Sequence, residues 1–126
     1  PHHPLARRRR ALRWAELEGR SWLQGPVGSI ARTRLDALTA GFTRGIVPFP
    51  MVTRVPAVLS DTLRQHPVLV LLPRSYLRHQ VSAGELVALP LAERLPIDPI
   101  GLMLPVEERS DACELLVVFL RATAGA

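Results

Sequence analysis

From residue 68 to residue 91 the chain reads Val-Leu-Val-Leu-Leu-Pro-Arg-Ser-Tyr-Leu-Arg-His-Gln-Val-Ser-Ala-Gly-Glu-Leu-Val-Ala-Leu-Pro-Leu. The five apolar residues at its start, closed by a proline, predict a strand that is buried on both faces. Leu77 and Val81 then recur four residues apart, and Gly84 stands where a helix is expected to stop. A second short apolar run, residues 86–89, predicts another strand. This alternation predicts an α/β fold, in which function lies at the ends of the strands.

The rest of the chain predicts flanking helices and further short strands. Ser29 is a good helix N-cap, and apolar residues follow it at helical spacing as far as Phe42. Pro56 suits the first turn of a second helix, and Ser110 suits the cap of a last helix that is apolar nearly all round. Strands are expected at residues 21–23, 51–55 and 100–104, one or two helical turns at residues 11–18, and a connecting loop at residues 92–99. We therefore predict an open, mostly parallel sheet with flanking helices.

The composition is that of one folded domain. The 126 residues are enough for one core, and 48% hydrophobic with 21% charged residues exclude a disordered chain. The apolar runs are too short to cross a bilayer, so no membrane contact is expected. Cys113 is the only cysteine, so no internal disulfide is possible, which fits a reducing cytoplasm. The start lacks a methionine and a signal pattern, so we expect a processed chain or a piece of a longer protein.

The basic residues raise the question of nucleic-acid binding. All 16 are arginine, the net charge is +5, and residues 7–10 are four arginines in a row. Such a run contacts phosphates through counterion release, but it has no aromatic interleaving, recognition-helix pattern or glycine-rich clamp around it. The absence of lysine also matches the codon usage of a GC-rich genome. The sequence therefore favours a solvated surface segment, and specific DNA recognition by these residues alone is not expected.

The loop of residues 25–29, which opens onto a predicted helix, is the best candidate site. A helix N-terminus presents unpaired backbone N–H groups and a partial positive charge, and so binds carboxylates or phosphates. Arg32 and Arg34 lie in the first turns and add donors. The alternative, an ordinary capped helix with exposed arginines, is favoured by spacing alone. The loop has neither the P-loop nor the dinucleotide-binding pattern.

The residues do not form a catalytic or metal-binding pattern, so we expect no enzyme, no metal and no cofactor. The four histidines lack the spacing of a zinc site, and Cys113 has no nearby partner. The pairs of Ser60 with Asp61 and Ser110 with Asp111 are better explained by helix capping or a solvated face. There is no Gly-x-Ser-x-Gly motif, and nothing places paired carboxylates in a cleft.

Several short motifs occur together in one order. They are His-Pro-Leu-Ala at residues 3–6, Ser-Trp-Leu at 21–23, Gly-Ser at 28–29, Arg-Leu at 34–35, Leu-Leu-Pro-Arg at 71–74, Ala-Gly-Glu-Leu-Val at 83–87, Leu-Pro-Leu at 89–91, Pro-Ile-Gly-Leu at 99–102 and Phe-Leu-Arg at 119–121. In their order and spacing the chain resembles LysR-type transcriptional regulators over essentially its whole length. The resemblance is to the second lobe of the effector-binding domain and the return to the first lobe.

This resemblance implies a domain organisation. Residues 1–104 are expected to form one lobe of a periplasmic-binding-protein-like effector domain. Residues 105–126 are expected to be a return segment and a terminal helix that packs on the first lobe. The winged helix-turn-helix, the linker helix and the start of the first lobe are expected to be absent. Residues 65–68, Gln-His-Pro-Val, depart from the Gly-x-Gly loop of many members and are similar to the subgroup of the galactose-binding-protein regulator, so no ligand contact is carried over for that loop.

The resemblance also implies a site and a function. The helix N-terminus is expected to line a cleft for a small, often carboxylate-bearing effector, with N–H donors near Ser29 and Ile30. The Ser29 hydroxyl is expected to assist, and Arg32 to act as a charge partner. The remaining expected site residues are Gly28 at the turn and Gln24 and Arg54 at the wall. The expected function is effector sensing by a cytoplasmic bacterial regulator that self-associates and contacts DNA only through its absent N-terminal domain.

Three other classes stay open from the sequence. A solute-binding module of a transport system shares the two-lobe architecture but needs export, and a helix-turn-helix encoded upstream would separate it from a regulator. A small doubly wound enzyme would require a cofactor or turnover that the residue inventory does not suggest. A basic nucleic-acid-binding domain is the last alternative.

Overall fold

The structure, a computed structural model, describes residues 3–8, 10–95, 102–104 and 110–124. Within these residues the regular elements are β1 (Ser21–Gln24), α1 (Ile30–Thr39), β2 (Val47–Val52), α2 (Pro56–Gln65), α3 (Arg78–Ser82) and α4 (Asp111–Ala124). Two short 3₁₀ helices, Pro4–Arg7 and Trp14–Leu17, precede β1.

The sheet of the described residues is parallel, with β1 at its centre. β1 pairs with β2, so that Ser21 lies opposite Val47. On the other side of β1, Leu69 forms a single parallel bridge with Trp22. The Leu69 N–H donates to the Ser21 carbonyl over 2.9 Å, and the Leu23 N–H donates to the Leu69 carbonyl over 2.8 Å. The α/β class and the parallel pairing predicted from the sequence are confirmed.

Three of the predicted strands, at residues 68–72, 86–89 and 100–104, do not appear as regular strands among the described residues. Residues 68–72 do not form a regular strand, because only Leu69 has strand pairing. The first two of these residues are buried and the next three are half-buried. Residues 86–89 form no strand either, and the nearby parallel bridge joins Leu91 to Leu12. Residues 102–104, the described part of the predicted strand at 100–104, are also not in a strand.

β2 lies four residues earlier than the strand predicted at residues 51–55 and includes Pro48 and Pro50. In the described sheet it is an edge strand. The Val47 N–H donates to the Arg20 carbonyl, and the register of the two strands shifts between Trp22 and Gln24. Proline has no N–H to donate and is tolerated in edge strands and at such irregularities, so the two prolines are compatible with this strand.

The buried residues lie on the two faces of β1. Trp22 belongs to a cluster that includes Leu35 of α1, and the next residue, Leu23, belongs to a second cluster with Leu59 of α2. Neighbouring strand residues point to opposite faces, so α1 and α2 cover opposite faces of the sheet. Among the described residues, the largest fully buried side chains are Leu12, Leu17, Leu23 and Leu35.

The helices begin where the sequence predicted. The Ser29 hydroxyl accepts a hydrogen bond from the Arg32 N–H, and α2 begins at Pro56. Gly84, after α3, has a positive φ of 73°, a conformation that glycine adopts without steric cost. Ser110 caps α4 by accepting a bond from the Cys113 N–H over 3.3 Å. The one difference is that α1 ends at Thr39 rather than near residue 42.

α4 is the least covered element. Val117 is buried, but most of the other large apolar side chains are exposed. They are Leu115, Leu116, Val118 and Phe119. None of the helices in the described part of the chain has the length and apolar character that crossing a bilayer requires.

Candidate functional site

The strand order of the described residues points to the carboxyl edge of the sheet as the place where a ligand would bind. The chain passes from β1 through α1 to β2, and then through α2 to the bridge residue Leu69 on the other side of β1. The first connection leaves β1, and the second leaves β2 and crosses to the other side of β1. The two connections therefore run in opposite directions, with α1 and α2 on opposite faces. In open parallel sheets, ligands bind at such a switch point, outside the carboxyl ends of the strands. The loop of residues 25–29 follows β1 at this edge.

The first turn of α1 carries free backbone donors at this edge. The Ser29 hydroxyl donates to the Pro26 carbonyl over 2.7 Å and accepts from the Arg32 N–H over 3.3 Å. The Ser29 N–H is used as well, because it donates to Pro26 over 3.1 Å. The N–H groups of Ile30 and Ala31 have no acceptor among the described residues. These two groups, at the positive end of the helix, are the available anion donors.

Two glycines make this geometry possible. A Cβ on Gly25 would stand 2.8 Å from the Ser29 hydroxyl oxygen, so only glycine leaves the cap in place. Gly28 has a φ of 81° in the turn before the cap, which is strained for any residue with a side chain. The loop is therefore shaped by close approach of backbone to the cap as well as by the cap itself.

Gln24 and Arg54 lie at the same edge. Gln24, the last residue of β1, is only 8% exposed, and its side-chain amide forms no hydrogen bond with the described residues. It is paired with Val52, two residues before Arg54. The Arg54 carbonyl accepts a hydrogen bond of 2.7 Å from the Tyr76 hydroxyl. That bond joins the loop after β2 to the segment that follows residue 72.

Arg32 has a partner within α1. Its Nε lies 2.9 Å from both carboxylate oxygens of Asp36, an ion pair one helical turn away. Its side chain is only partly exposed. An anion at the helix N-terminus therefore meets the backbone donors first, and Arg32 is engaged elsewhere in this structure.

Apolar side chains surround the free donors. Val27 is 90% exposed and Ile30 is 80% exposed, although both are aliphatic. Exposed apolar groups beside polar donors are typical of sites for ligands that have both kinds of surface. The described residues contain no group of three or more metal-ligating side chains.

An open concavity of about 450 Å³ lies elsewhere, against Arg10, Arg13, Ala15 and Glu16. These residues precede β1 and so lie towards the amino edge of the sheet, not at the switch point. We assign the candidate site to the carboxyl edge, because the unpaired backbone donors of α1 and the switch point of the strand order lie there.

Sequence reasoning missed three features of the carboxyl edge. They are the close approach of Gly25 to the cap, the free Ala31 N–H, and the Tyr76 bond to Arg54. For the first of these features the sequence did contain a signal, namely the glycine four residues before the cap serine. The bond between Tyr76 and Arg54 spans 22 residues and had no sequence signal.

Comparisons with known proteins agree with this architecture. The family model of the LysR substrate binding domain matches residues 1–125. No match was found among the curated proteins or among the solved structures. Because the family model covers nearly the whole chain, the chain belongs to the LysR substrate-binding domain family.

Proposed function

We propose that this chain senses a small anionic effector for a bacterial LysR-type transcription regulator and has no catalytic role. One observation carries the proposal. In a chain of the LysR substrate-binding family, the N–H groups of Ile30 and Ala31 are unpaired at the carboxyl edge of the sheet. A carboxylate or another small oxyanion matches that pair of donors in charge and size.

Each site residue has a role that follows from its position. Ile30 and Ala31 donate to the anion through their backbones, and Ser29 fixes the first turn because its hydroxyl is already bonded to Pro26. Gly28 supplies the turn before the cap, and the buried amide of Gln24 supplies further donors and an acceptor.

Two arginines complete the proposed site. Arg54 stands at the wall, where its carbonyl is held by Tyr76, and Arg32 is a charge partner that must leave Asp36 to act. The exposed side chains of Val27 and Ile30 favour an effector whose body is apolar. The proposed effector class is therefore an apolar carboxylate.

The domain assignment is part of the same proposal. Residues 1–104 form the second lobe and residues 105–126 return to the first lobe, in the subgroup that resembles the galactose-binding-protein regulator. The exposed apolar side chains of α4 are the surface that the first lobe would cover. Sequence-specific DNA recognition belongs to a winged helix-turn-helix domain outside this chain, in a cytoplasmic protein. Effector binding to one arrangement of the lobes shifts the population of the regulator on DNA.

Self-association is proposed from the same exposed surface. Apolar helix faces without a covering element drive association in water. Sedimentation equilibrium of the 126-residue chain should show dimers or larger species, and replacement of Leu116 and Phe119 by serine should shift them to monomer. A chain that stays monomeric at high concentration would contradict this proposal.

The effector assignment is tested with Ser29→Ala in the intact regulator. Small carboxylates are first screened by thermal shift, and the best one is titrated by calorimetry. Loss of the cap should weaken its binding about fivefold or more and abolish the transcriptional response, while operator binding is kept, because a cap contributes about 1 kcal/mol and positions both donors. Ser75→Ala, at an exposed serine outside the site, is the matched control. Unchanged affinity in Ser29→Ala would remove the assignment.

A further inference from the structure

The positive charge of this chain is concentrated at its beginning. The first 20 residues contain six arginines and two glutamates, which leaves them +4 of the chain's net +5. These residues lead into β1 at its amino end. There the Gly19 N–H donates to the Gly45 carbonyl, and a Glu18 carboxylate oxygen accepts from the Arg44 N–H. The described arginines of this segment therefore lie towards the edge of the sheet opposite the proposed effector site.

Three arginines here surround one carboxylate, and we name Arg8, Arg10 and Arg13 the arginine patch. Arg10 donates two hydrogen bonds to Glu16, of 2.8 and 2.6 Å. The Arg8 guanidinium is 3.7 Å from the same carboxylate. The Arg13 backbone N–H donates to Glu16 over 2.9 Å. The guanidinium groups of Arg8 and Arg10 thus meet at Glu16, and Arg13 borders the same concavity as Arg10 and Glu16.

The backbone beneath the patch is well anchored. The Trp14 indole N–H donates to the Leu38 carbonyl over 2.8 Å, and the Trp14 backbone N–H donates to the Glu93 carboxylate over 3.0 Å. Leu12 and Leu17 on either side are fully buried. The side chains of Arg8 and Arg10, in contrast, are about half exposed. A fixed scaffold that presents exposed guanidinium groups is not what a freely solvated segment provides.

The patch has more positive charge than its carboxylates neutralise. The hydrogen bond from Arg10 and then the one from Arg13 lower the pKa of Glu16 to about 2, so Glu16 stays ionised at neutral pH. Glu16 therefore carries one negative charge against the three positive charges of the arginine patch. The guanidinium of Arg13 has no hydrogen-bonding partner in the described part of the chain. Even with Glu93 counted, the patch remains positive and borders an open concavity.

We propose that the arginine patch contacts the phosphate backbone of duplex DNA without reading its sequence. The proposal rests on the proposed function, since it places the chain in a regulator that acts on DNA. Guanidinium groups match phosphate oxygens in geometry and charge. The concavity is open and two of the residues that border it are Arg10 and Arg13, so a repeating polyanion that spans several exposed guanidinium groups fits it. The contact adds affinity and salt dependence to the recognition performed elsewhere in the regulator.

The test is the salt dependence of DNA binding by the 126-residue chain. Fluorescence anisotropy with two duplexes of unrelated sequence, between about 20 and 200 mM NaCl, gives the slope of log K against log salt. Three phosphate contacts predict a slope of about −3 for both duplexes. The variant Arg8→Gln/Arg10→Gln/Arg13→Gln should lose most of this slope and bind at least about tenfold more weakly at the lowest salt.

A variant with the same net charge serves as control. Arg74→Gln/Arg78→Gln/Arg121→Gln removes three exposed arginines far from the patch in sequence. It should change the slope by less than about one. Circular dichroism of both triple variants checks that the fold is kept. If the two triple variants weaken DNA binding equally, only overall charge matters and the proposal is wrong.

Glu16→Gln should change the affinity for DNA in the opposite direction from the arginine variants. The amide can still accept from the Arg13 N–H, but it no longer holds Arg10 by charge. We expect DNA binding to strengthen severalfold, whereas a purely structural role of Glu16 would weaken or not change it. No strengthening, or a preference for inorganic tripolyphosphate over DNA in competition, would overturn the proposal. Because effector binding is measured separately with Ser29→Ala, failure of one proposal leaves the other standing.

Discussion

The two edges of the parallel sheet offer anions different kinds of donor. At the carboxyl edge the donors are backbone N–H groups of Ile30 and Ala31, held by a cap and by a close-packed loop. At the amino edge the donors are the guanidinium groups of the arginine patch, on exposed side chains. β1 separates the two edges by about 13 Å, given its four residues at about 3.3 Å each.

The donors at the carboxyl edge are defined by their geometry, whereas the donors at the amino edge are defined by their charge. Backbone donors are fixed in number and direction, so the effector site that we propose at the carboxyl edge depends on the exact position of the chain. Guanidinium groups move and are screened by salt, so the amino edge responds to the number of charges rather than to their exact positions. Substitutions at the two edges should therefore differ in what they change.

The largest expected effect is that of Gly25→Ala. The new Cβ meets the Ser29 hydroxyl oxygen at 2.8 Å, which displaces the cap and crowds the loop. We expect the free energy of unfolding to fall by about 1–3 kcal/mol, as for other overpacked sites. Urea denaturation measures it. Gly41→Ala, where an added Cβ meets nothing within 4 Å, should stay within about 0.5 kcal/mol of the parent. An equal loss of stability in Gly25→Ala and Gly41→Ala would show that the close contact between Gly25 and Ser29 does not constrain the carboxyl edge.

A smaller effect on the free energy of unfolding is expected for Arg32→Gln, which removes a charge at the carboxyl edge. The pair with Asp36 is an exposed pair one helical turn apart, so its loss should lower the free energy of unfolding by about 0.3–0.5 kcal/mol. Asp36→Asn should have the same effect, and the double variant should add nothing further. Losses that simply add would mean that the two side chains do not interact in solution.

The smallest effect on stability is expected for Arg10→Gln, in the arginine patch at the amino edge. Hydrogen bonding from Arg10 is the main cause of the lowered pKa of Glu16, so that pKa should rise from about 2 towards its ordinary 4.5. Since the folded chain holds this pKa low, the contact stabilises the fold above pH 4.5 and is lost as the pH falls towards 2. NMR titration of the Glu16 carboxyl measures the change. Arg121→Gln should leave it unmoved, and an unmoved pKa in Arg10→Gln would exclude the pair.

Local signals in the sequence predicted the helix starts well. The caps at Ser29 and Ser110 and the start at Pro56 depend on hydrogen bonds and dihedral angles within a few residues. The strands were harder to predict from the sequence, because strand pairing depends on residues far apart along the chain. The apolar run at residues 68–72 has the composition of a strand, yet only Leu69 finds a pairing partner in the described sheet.

The sequence by itself determined the α/β class, the family, the helix starts and the loop that carries the helix N-terminus. Those features follow from local periodicity, capping and the order of short motifs. Only the tertiary structure decided which donors remain free. The acceptors of Ser29, the partner of Arg32 and the convergence of three arginines on Glu16 depend on atoms brought together by folding. A hydrogen bond is directional and short, so spacing along the chain does not reveal whether it forms.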